Sequence, residues 1–233
     1  LKKNKNLIID KPLALKLSQT KKLLFIARKK RLLISQALVF NYHNNFILLK
    51  KIIKKNKIKI NNIIMQFYIP RPLKGNFKLS KKLGGGCFND MAPYAAEVMR
   101  IFLNKKIIYY KLFLKNSKNI NESFSIFAYS KNIRFNGFFS HNSEYKNNIH
   151  FLSSNSSIKL NRYSAPPSDL NLNIYFRKKN RFKKIFVKKD DTFKKYLIEY
   201  FKALKQKKIL FYHKKIIKDA NLIEKIYKNK III

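Results

Sequence analysis

The sequence is poor in glycine, in acidic residues and in cysteine, and it contains no tryptophan. It has five glycines, 11 acidic residues and one cysteine among 233 residues. The single cysteine, Cys87, excludes an internal disulfide and is typical of a reducing compartment, so we expect a cytoplasmic protein. The four histidines lie far apart without the spacing of metal ligands, so no metal site is expected.

Long uncharged apolar runs are also lacking. No such run reaches the roughly 18 residues that a membrane-spanning helix needs, and residues 1–6 lack the apolar core of a signal peptide. Hydrophobic residues nevertheless make up 46% of the chain, which excludes a disordered polycation. The sequence therefore predicts a folded protein without a membrane partner.

The most abundant feature is positive charge, with a formal net charge of +42. Such an excess can indicate a basic nucleic-acid-binding protein. Here it accompanies heavy use of Asn, Ile, Phe and Tyr along the whole chain, and only eight of the 53 basic residues are Arg. Because these residues share A/T-rich codons, drift toward an AT-rich genome explains the charge, and we expect no nucleic-acid partner.

Hydrophobic periodicity predicts an α+β fold that begins with a short α/β segment. The pattern of the first half indicates strands at 7–9, 31–39 and 60–68. It also indicates one helix that ends near residue 30, one over residues 46–55 and one that ends near residue 103. The second half has period two and predicts strands at 106–115, 122–130, 133–140, 147–153, 157–160, 170–176 and 183–187, then helices at 193–205 and 219–230. Hairpin-linked strands favour one large, mainly antiparallel open sheet with helices on one face.

The most unusual stretch is the run of three glycines at 84–86, which leads into a helical pattern. Three consecutive glycines indicate backbone with positive φ or a close approach to another group. The acidic residues that follow are almost the only ones in the first half, and Asp90, Tyr94 and Glu97 fall on one helix face. The alternative is an ordinary capped helix N-terminus without a site.

Three patterns occur in a particular order along the chain: a strand ending in Asp10-Lys11-Pro12-Leu13-Ala14, a strand leading to Phe40-Asn41-Tyr42-His43, and Gly-Gly-Gly-x-x-x-Asp90-x-x-x-Tyr94 at a helix start. In this order they resemble the Gfo/Idh/MocA oxidoreductases. The later half, with the stretch 162–167 and the helix after Asp191, is similar to the C-terminal domain of that family. The resemblance covers nearly the whole chain.

The resemblance implies an NAD(P)-dependent oxidoreductase of sugars or sugar derivatives. It implies that Lys11 and Pro12 lie beside the nicotinamide and that Lys11, Asp90 and Tyr94 form the catalytic group. A tyrosine can serve as the base if a nearby lysine favours its phenolate, while Asp90 orients substrate or shares the proton. Asn41 and His43 are further candidates for substrate binding, although a role as polar loop residues explains them better.

The dinucleotide-binding part of that family is the main departure. A phosphate-cradling loop needs glycine, yet no glycine precedes Gly75. The sequence thus predicts residues 1–30 as the end of a truncated Rossmann-like domain, with its last strand and helix, and residues 31–233 as the substrate-binding and catalytic domain. We expect a fragment, a decaying copy, or one part of a split enzyme with a separate nucleotide-binding half.

Smaller departures are Asp10 in place of the usual Glu and Ala92 where Gly is common. The expected partners are a sugar or nucleotide-sugar substrate and a second copy bound through the open sheet. A non-catalytic remnant that only oligomerises through this sheet is the principal alternative, and a nucleic-acid-binding protein is a weaker one.

Overall fold

The computed structural model describes residues 1, 3–103, 107–117, 119–164 and 166–233, and it begins with a small parallel unit. Strand β1 (Leu7–Ile9) is followed by helix α1 (Leu17–Lys29) and strand β2 (Ile34–Gln36), which pairs in parallel with β1. This is a short βαβ unit held together by the inward side of α1. The predicted boundary at residue 30 falls inside it, between α1 and β2, and the division into two domains stays a prediction.

A nine-stranded sheet forms the rest of the core. Its strands are β3 (Asn62–Tyr68), β4 (Ile107–Ser117), β5 (Ile120–Ser130), β6 (Arg134–Ser140), β7 (Lys146–Leu152), β8 (Ser156–Asn161), β9 (Leu172–Lys178), β10 (Arg181–Val187) and β11 (Lys230–Ile232). The strand order is β10-β9-β8-β7-β3-β6-β5-β4-β11. The β3–β6 and β4–β11 pairs are parallel and the remaining pairs antiparallel, so the sheet is mixed. The predicted α+β class with a large sheet is confirmed.

Alternation along the strands separates a buried face from an open one. On β6, Phe135 and Phe139 are buried, whereas Phe138 lies on the opposite face and is half-buried. Helices α2 (Asn44–Lys55) and α3 (Cys87–Phe102) cover the buried face. The glycine-rich stretch thus leads directly into a helix that packs on the centre of the sheet.

The C-terminal part differs most from the predicted elements. Helix α4 (Thr192–Lys205) agrees with the prediction, but α5 (Ile209–Lys228) begins ten residues before the predicted start, and β11 was not predicted. The first half of α5 buries His213 and Ile216 between runs of lysine, which obscure its helical period. In the ranges that the structure describes, no helix is both long and apolar enough to cross a membrane.

The early strands were also only partly predicted. Strand β2 covers three residues of the predicted range 31–39, because the chain then enters a 3-10 turn at Val39–Tyr42 that buries Phe40. The predicted strand at 106–115 matches β4, although its first residue lies outside the described residues. The other predicted strands agree with β3 and β5–β10 to within a few residues.

The two faces of β6 give a matched pair of substitutions. We expect Phe135→Ala to lower the free energy of unfolding by about 3–5 kcal/mol, because it leaves a cavity in a fully buried cluster. Phe138→Ala, on the open face, should cost less than about 1.5 kcal/mol. Urea denaturation of both variants tests this, and equal losses would contradict the assignment of the two faces.

Candidate functional site

The three glycines before α3 allow a neighbouring turn to pack closely against them. A side chain at Gly85 would lie 2.5 Å from the Phe77 carbonyl oxygen, and the Gly86 amide donates to the Lys78 carbonyl at 2.8 Å. Gly86 has a φ of +104°, which few other residues adopt. The glycines therefore allow the 3-10 turn Phe77–Leu79 to lie directly against the start of α3.

Asp90, in the first turn of α3, is the centre of a cluster of cationic groups. The Lys11 ammonium pairs with Asp90 Oδ1 and also donates to the Asp90 carbonyl at 2.6 Å. Lys78 Nζ lies 2.9 Å and His141 Nε2 3.0 Å from Asp90 Oδ2. Asp90 thus joins the end of β1, the turn seated on Gly85 and the end of β6.

These neighbours determine the protonation of Asp90. Burial alone would raise the pKa of the carboxyl, but the hydrogen bond with His141 and the charges of Lys11 and Lys78 outweigh burial and hold the pKa well below its usual range. Asp90 is therefore a fixed carboxylate, suited to holding Lys11 in place and poorly suited to carrying a proton.

Tyr94 lies one turn further along α3, with the Lys11 Nζ 5.1 Å from the centre of its ring. Phe40 and Phe67 pack beside the same ring, with centroids 6.1 and 5.5 Å away. Burial raises the pKa of Tyr94, and the negative charges of Asp90 and Asp10 raise it further. The phenol is therefore protonated at neutral pH, and the expected stabilisation of a phenolate by Lys11 is absent from this arrangement.

Pro12 follows Lys11 through a cis peptide bond and lines an apolar cavity of about 270 Å³. The cavity lies between the loop after β1, the first turns of α3 and the second half of α5, with Leu13, Phe88 and Ile223 among its walls. The carboxyl end of a parallel strand is the usual side for a nicotinamide in such units. Lys11 and Pro12 fit that position, whereas nothing in the glycine-free βαβ unit offers a cradle for pyrophosphate.

Asn41 and His43 are not brought to Asp90. The Asn41 side-chain amide donates to Glu97, and the fully buried His43 caps α2 by accepting the Asn45 amide through Nδ1 at 3.0 Å. Burial lowers the pKa of His43, so the ring is neutral. Both residues act as supports for the chain around α2 and α3 in this arrangement.

Glu97, the third residue of the predicted face, belongs to a second buried network. Its carboxylate pairs with Arg100 and with Lys215 Nζ at 3.5 Å, and Arg100 Nε lies 2.7 Å from Asp219 Oδ1 on α5. Burial and the Glu97 charge raise the pKa of Asp219 to about 8. For Glu97, burial is outweighed by Lys215, by a hydrogen bond with Asp219 and by Arg100, so its pKa is lowered. The two carboxyl groups thus share one proton, which resides on Asp219.

Sequence reasoning missed Lys78, His141 and Asp219. Lys78 cannot be distinguished by type in a lysine-rich chain, and His141 comes from a strand more than 40 residues away. The one available signal was the scarcity of acidic residues, which would have drawn attention to Asp219 as it did to Asp90. Of the stretch 162–167, Tyr163 is fully buried and packs against Phe40 with centroids 5.9 Å apart, and Ala165 lies outside the described residues.

The shared proton predicts a pH-dependent stability. Asp219 keeps its proton in the folded protein up to about pH 8 and loses it near pH 4 when unfolded, so the free energy of unfolding should fall as the pH rises through this window. The slope from this group is about 1.4 kcal/mol per pH unit. Asp219→Asn, which keeps a neutral polar group, should remove this part of the slope in urea denaturation between about pH 5 and 8.

Glu97→Gln is the matched comparison. It removes the charge that the half-buried Arg100 and Lys215 share, and we expect a larger loss of stability at neutral pH than for Asp219→Asn, because both cations lose a charged partner. If Asp219→Asn lowered the free energy of unfolding more than Glu97→Gln, the shared proton would reside on Glu97 and not on Asp219.

Known proteins resemble this chain in sequence over part of its length and in fold over nearly all of it. No family model matches the sequence. A curated protein, dTDP-3,4-didehydro-2,6-dideoxy-α-D-glucose 3-reductase of Saccharopolyspora spinosa, is 28% identical over 104 residues, which are 44% of this chain and 31% of that protein. The match therefore spans less than a third of the relative's length.

Solved structures match nearly the entire chain at lower identity. A 3-ketoreductase from Actinomadura kijaniata, in complex with NADP and TDP-benzene, has a TM-score of 0.89 and 18% identity, with 98% of this chain and 72% of that chain covered. The aldose-aldose oxidoreductase of Caulobacter crescentus, complexed with glycerol, has a TM-score of 0.86 and 11% identity, with 98% and 70% covered.

A third structure, UDP-N-acetylglucosamine 3-dehydrogenase from Acidithiobacillus ferrooxidans, has a TM-score of 0.77 and 9% identity, with 97% of this chain and 70% of that chain covered. The three similar structures are a ketoreductase, an aldose-aldose oxidoreductase and a nucleotide-sugar dehydrogenase. The chain therefore has the same fold as these three oxidoreductases over about 70% of their length.

Proposed function

We propose that this chain carries the catalytic and substrate-binding part of an NAD(P)-dependent oxidoreductase that acts on a nucleotide-linked sugar. The observation that carries the proposal is the group formed by Lys11, Asp90 and Tyr94. It joins the carboxyl end of a parallel strand to the first turns of a helix, where a charged lysine, a fixed carboxylate and a protonated phenol meet. The similar ketoreductases and dehydrogenases support the same class of reaction.

The cofactor would contact this chain only through its nicotinamide end. The nicotinamide supplies or accepts the hydride when it is bound. Lys11 and Pro12 would position that end at the tip of β1, and the adjacent cavity of about 270 Å³ provides an apolar surface. The pyrophosphate and adenosine need residues outside this sequence, so activity requires a nucleotide-binding part in the same or another chain.

The proton chemistry favours reduction. Because Tyr94 is protonated, it can donate its proton to a carbonyl oxygen as that oxygen gains negative charge. Lys11 stabilises the same charge, and Asp90 keeps the ammonium pointing at the site through Oδ1. Asp90 remains ionised throughout and acts as a positioning residue.

Substitutions in the Actinomadura enzyme support the choice of residues. Its structures include one variant with a tyrosine replaced by phenylalanine and one with a lysine replaced by alanine. The separation of those two positions along its chain differs by a single residue from the separation of Lys11 and Tyr94. We therefore infer equivalent roles for the two pairs.

Tyr94→Phe tests the proton donor in the protein expressed from its complete natural gene. We expect kcat for reduction of a 3-keto nucleotide sugar to fall about 10²- to 10⁴-fold with little change in the KM of the cofactor, because the ring is retained and only the proton is lost. Tyr109→Phe, at an exposed position on β4, is the control and should keep normal activity. An unchanged kcat for Tyr94→Phe would exclude this role.

Cofactor binding separates the enzyme from a non-catalytic remnant. Binding can be followed by the fluorescence of NADPH itself, which is excited at wavelengths that protein side chains do not absorb. We expect weak binding by residues 1–233 alone and tight binding by the product of the complete gene. If that product also fails to bind NADPH, the remnant becomes the better interpretation.

We also propose that the open face of the sheet binds a second copy of the chain. Phe113, Phe127 and Phe138 form a row of edge-to-face rings there, with neighbouring centroids 5.9 and 5.8 Å apart, and all three are half-buried. Aromatic residues are enriched at the centres of protein interfaces.

Phe127→Glu tests this interface by placing a charge in the middle of the aromatic row. We expect light scattering to show a shift from dimer to monomer at micromolar concentration, with an unchanged circular dichroism spectrum. Phe25→Glu, at an exposed aromatic position on α1 away from the sheet, serves as the control. A wild-type monomer would rule out the interface.

A further inference from the structure

A second, smaller cavity of about 180 Å³ lies on the other side of the Asp90 carboxylate. Arg71, Lys78 and His141 line it together with Asn121 and Glu122. Lys78 and His141 both contact Asp90 Oδ2, whereas Lys11 contacts Oδ1. The cavity therefore adjoins the reacting group without overlapping the position of Lys11 and Tyr94.

The backbone that carries Arg71 and Lys78 is constrained. The turn that carries Lys78 lies on Gly85, and the Asn76 side chain caps it by accepting the Lys78 amide at 3.0 Å. Arg71 lies between Pro70 and Pro72, which restrict the backbone on both sides. Two basic side chains thus reach the cavity from a constrained segment, which lowers the entropy lost when they bind a ligand.

Charge in this region is unbalanced. Asp90 already has Lys11, Lys78 and His141 around it, and the Glu122 carboxylate accepts the Asn142 side-chain amide at 3.0 Å. Arg71 remains as an exposed guanidinium at the rim, and among the described residues around the cavity the basic groups outnumber the carboxylates. A partly enclosed site with surplus positive charge favours an anion.

We propose that this cavity is an anion subsite in which Arg71 and Lys78 bind a diphosphate group of the substrate. The inference rests on the proposed function for the identity of the substrate, but the anion binding itself needs neither cofactor nor turnover. In this arrangement, Asp90 Oδ2 lies between the diphosphate group and the reacting sugar carbon. Lys78 has a double role, since it contacts Asp90 and the cavity at once.

The test is isothermal titration calorimetry of residues 1–233 with inorganic pyrophosphate and, separately, with UDP, at about 0.15 M salt to screen the diffuse charge. We expect Arg71→Gln and Lys78→Gln each to weaken binding of both ligands about tenfold or more. Lys81→Gln removes the same charge from an exposed position in the same segment and should change binding less than about twofold. Circular dichroism checks that each variant is folded.

Equal effects of the three variants would overturn the proposal, because they would show attraction by the net charge alone. Absence of pyrophosphate and UDP binding to the wild-type chain would also overturn it. Arg71 is exposed and makes no ion pair within the described residues, so its variant remains informative even if Lys78→Gln perturbs Asp90. If the wild-type protein bound pyrophosphate but showed no reductase activity, the proposed function would be contradicted, whereas the anion subsite would still be supported.

Discussion

The charge of Asp90, whose side chain is only 13% exposed, is the constraint on which the rest of the arrangement depends. A carboxylate removed from water needs compensating charge and hydrogen bonds, and here they come from three separate parts of the chain. Lys11 follows the first strand, Lys78 comes from the turn before α3, and His141 directly follows strand β6. Satisfying one carboxylate therefore fixes the parallel unit, the glycine-seated turn and the sheet relative to one another.

The chain uses its few acidic residues in the same way elsewhere. Buried Glu97 and Asp190 are paired with Arg100 and Lys195, and the buried, protonated Asp219 accepts a hydrogen bond from Arg100 Nε. Against a background of 53 basic residues, cations are always available, so the position of an acid decides which lysine or arginine becomes ordered. The distribution of carboxylates, more than that of lysines, defines the polar framework of this protein.

Much of the fold and part of the site could be predicted from local patterns. Period-two alternation indicated β4 to β10, and the glycines together with the spacing of Asp90 and Tyr94 indicated the start of α3 as a candidate site. The remainder depends on contacts between distant residues. His141 meets Asp90 only because β6 lies beside β5 at the centre of the sheet, and β11 forms only because α5 brings it to β4.

The roles of individual groups were harder to predict than their presence. The sequence suggested that Lys11 could ionise Tyr94, but the ammonium is held by Asp90, and burial keeps the phenol protonated. Asn41 likewise looked like a substrate contact, whereas its amide supports Glu97. In both cases the deciding quantity is burial together with a particular partner, and neither is encoded in the spacing of residues along the chain.

Strand β10, at one end of the nine-stranded sheet, also has a physical consequence. Its outer edge has no neighbour within the described part of the chain, and such a row of free amide and carbonyl groups can add a strand from another molecule. Arg181, Lys183 and Lys184 are exposed along it, so two copies approaching edge to edge bring like charges together. The lysine excess therefore also opposes the edge-to-edge association of this large sheet into fibres.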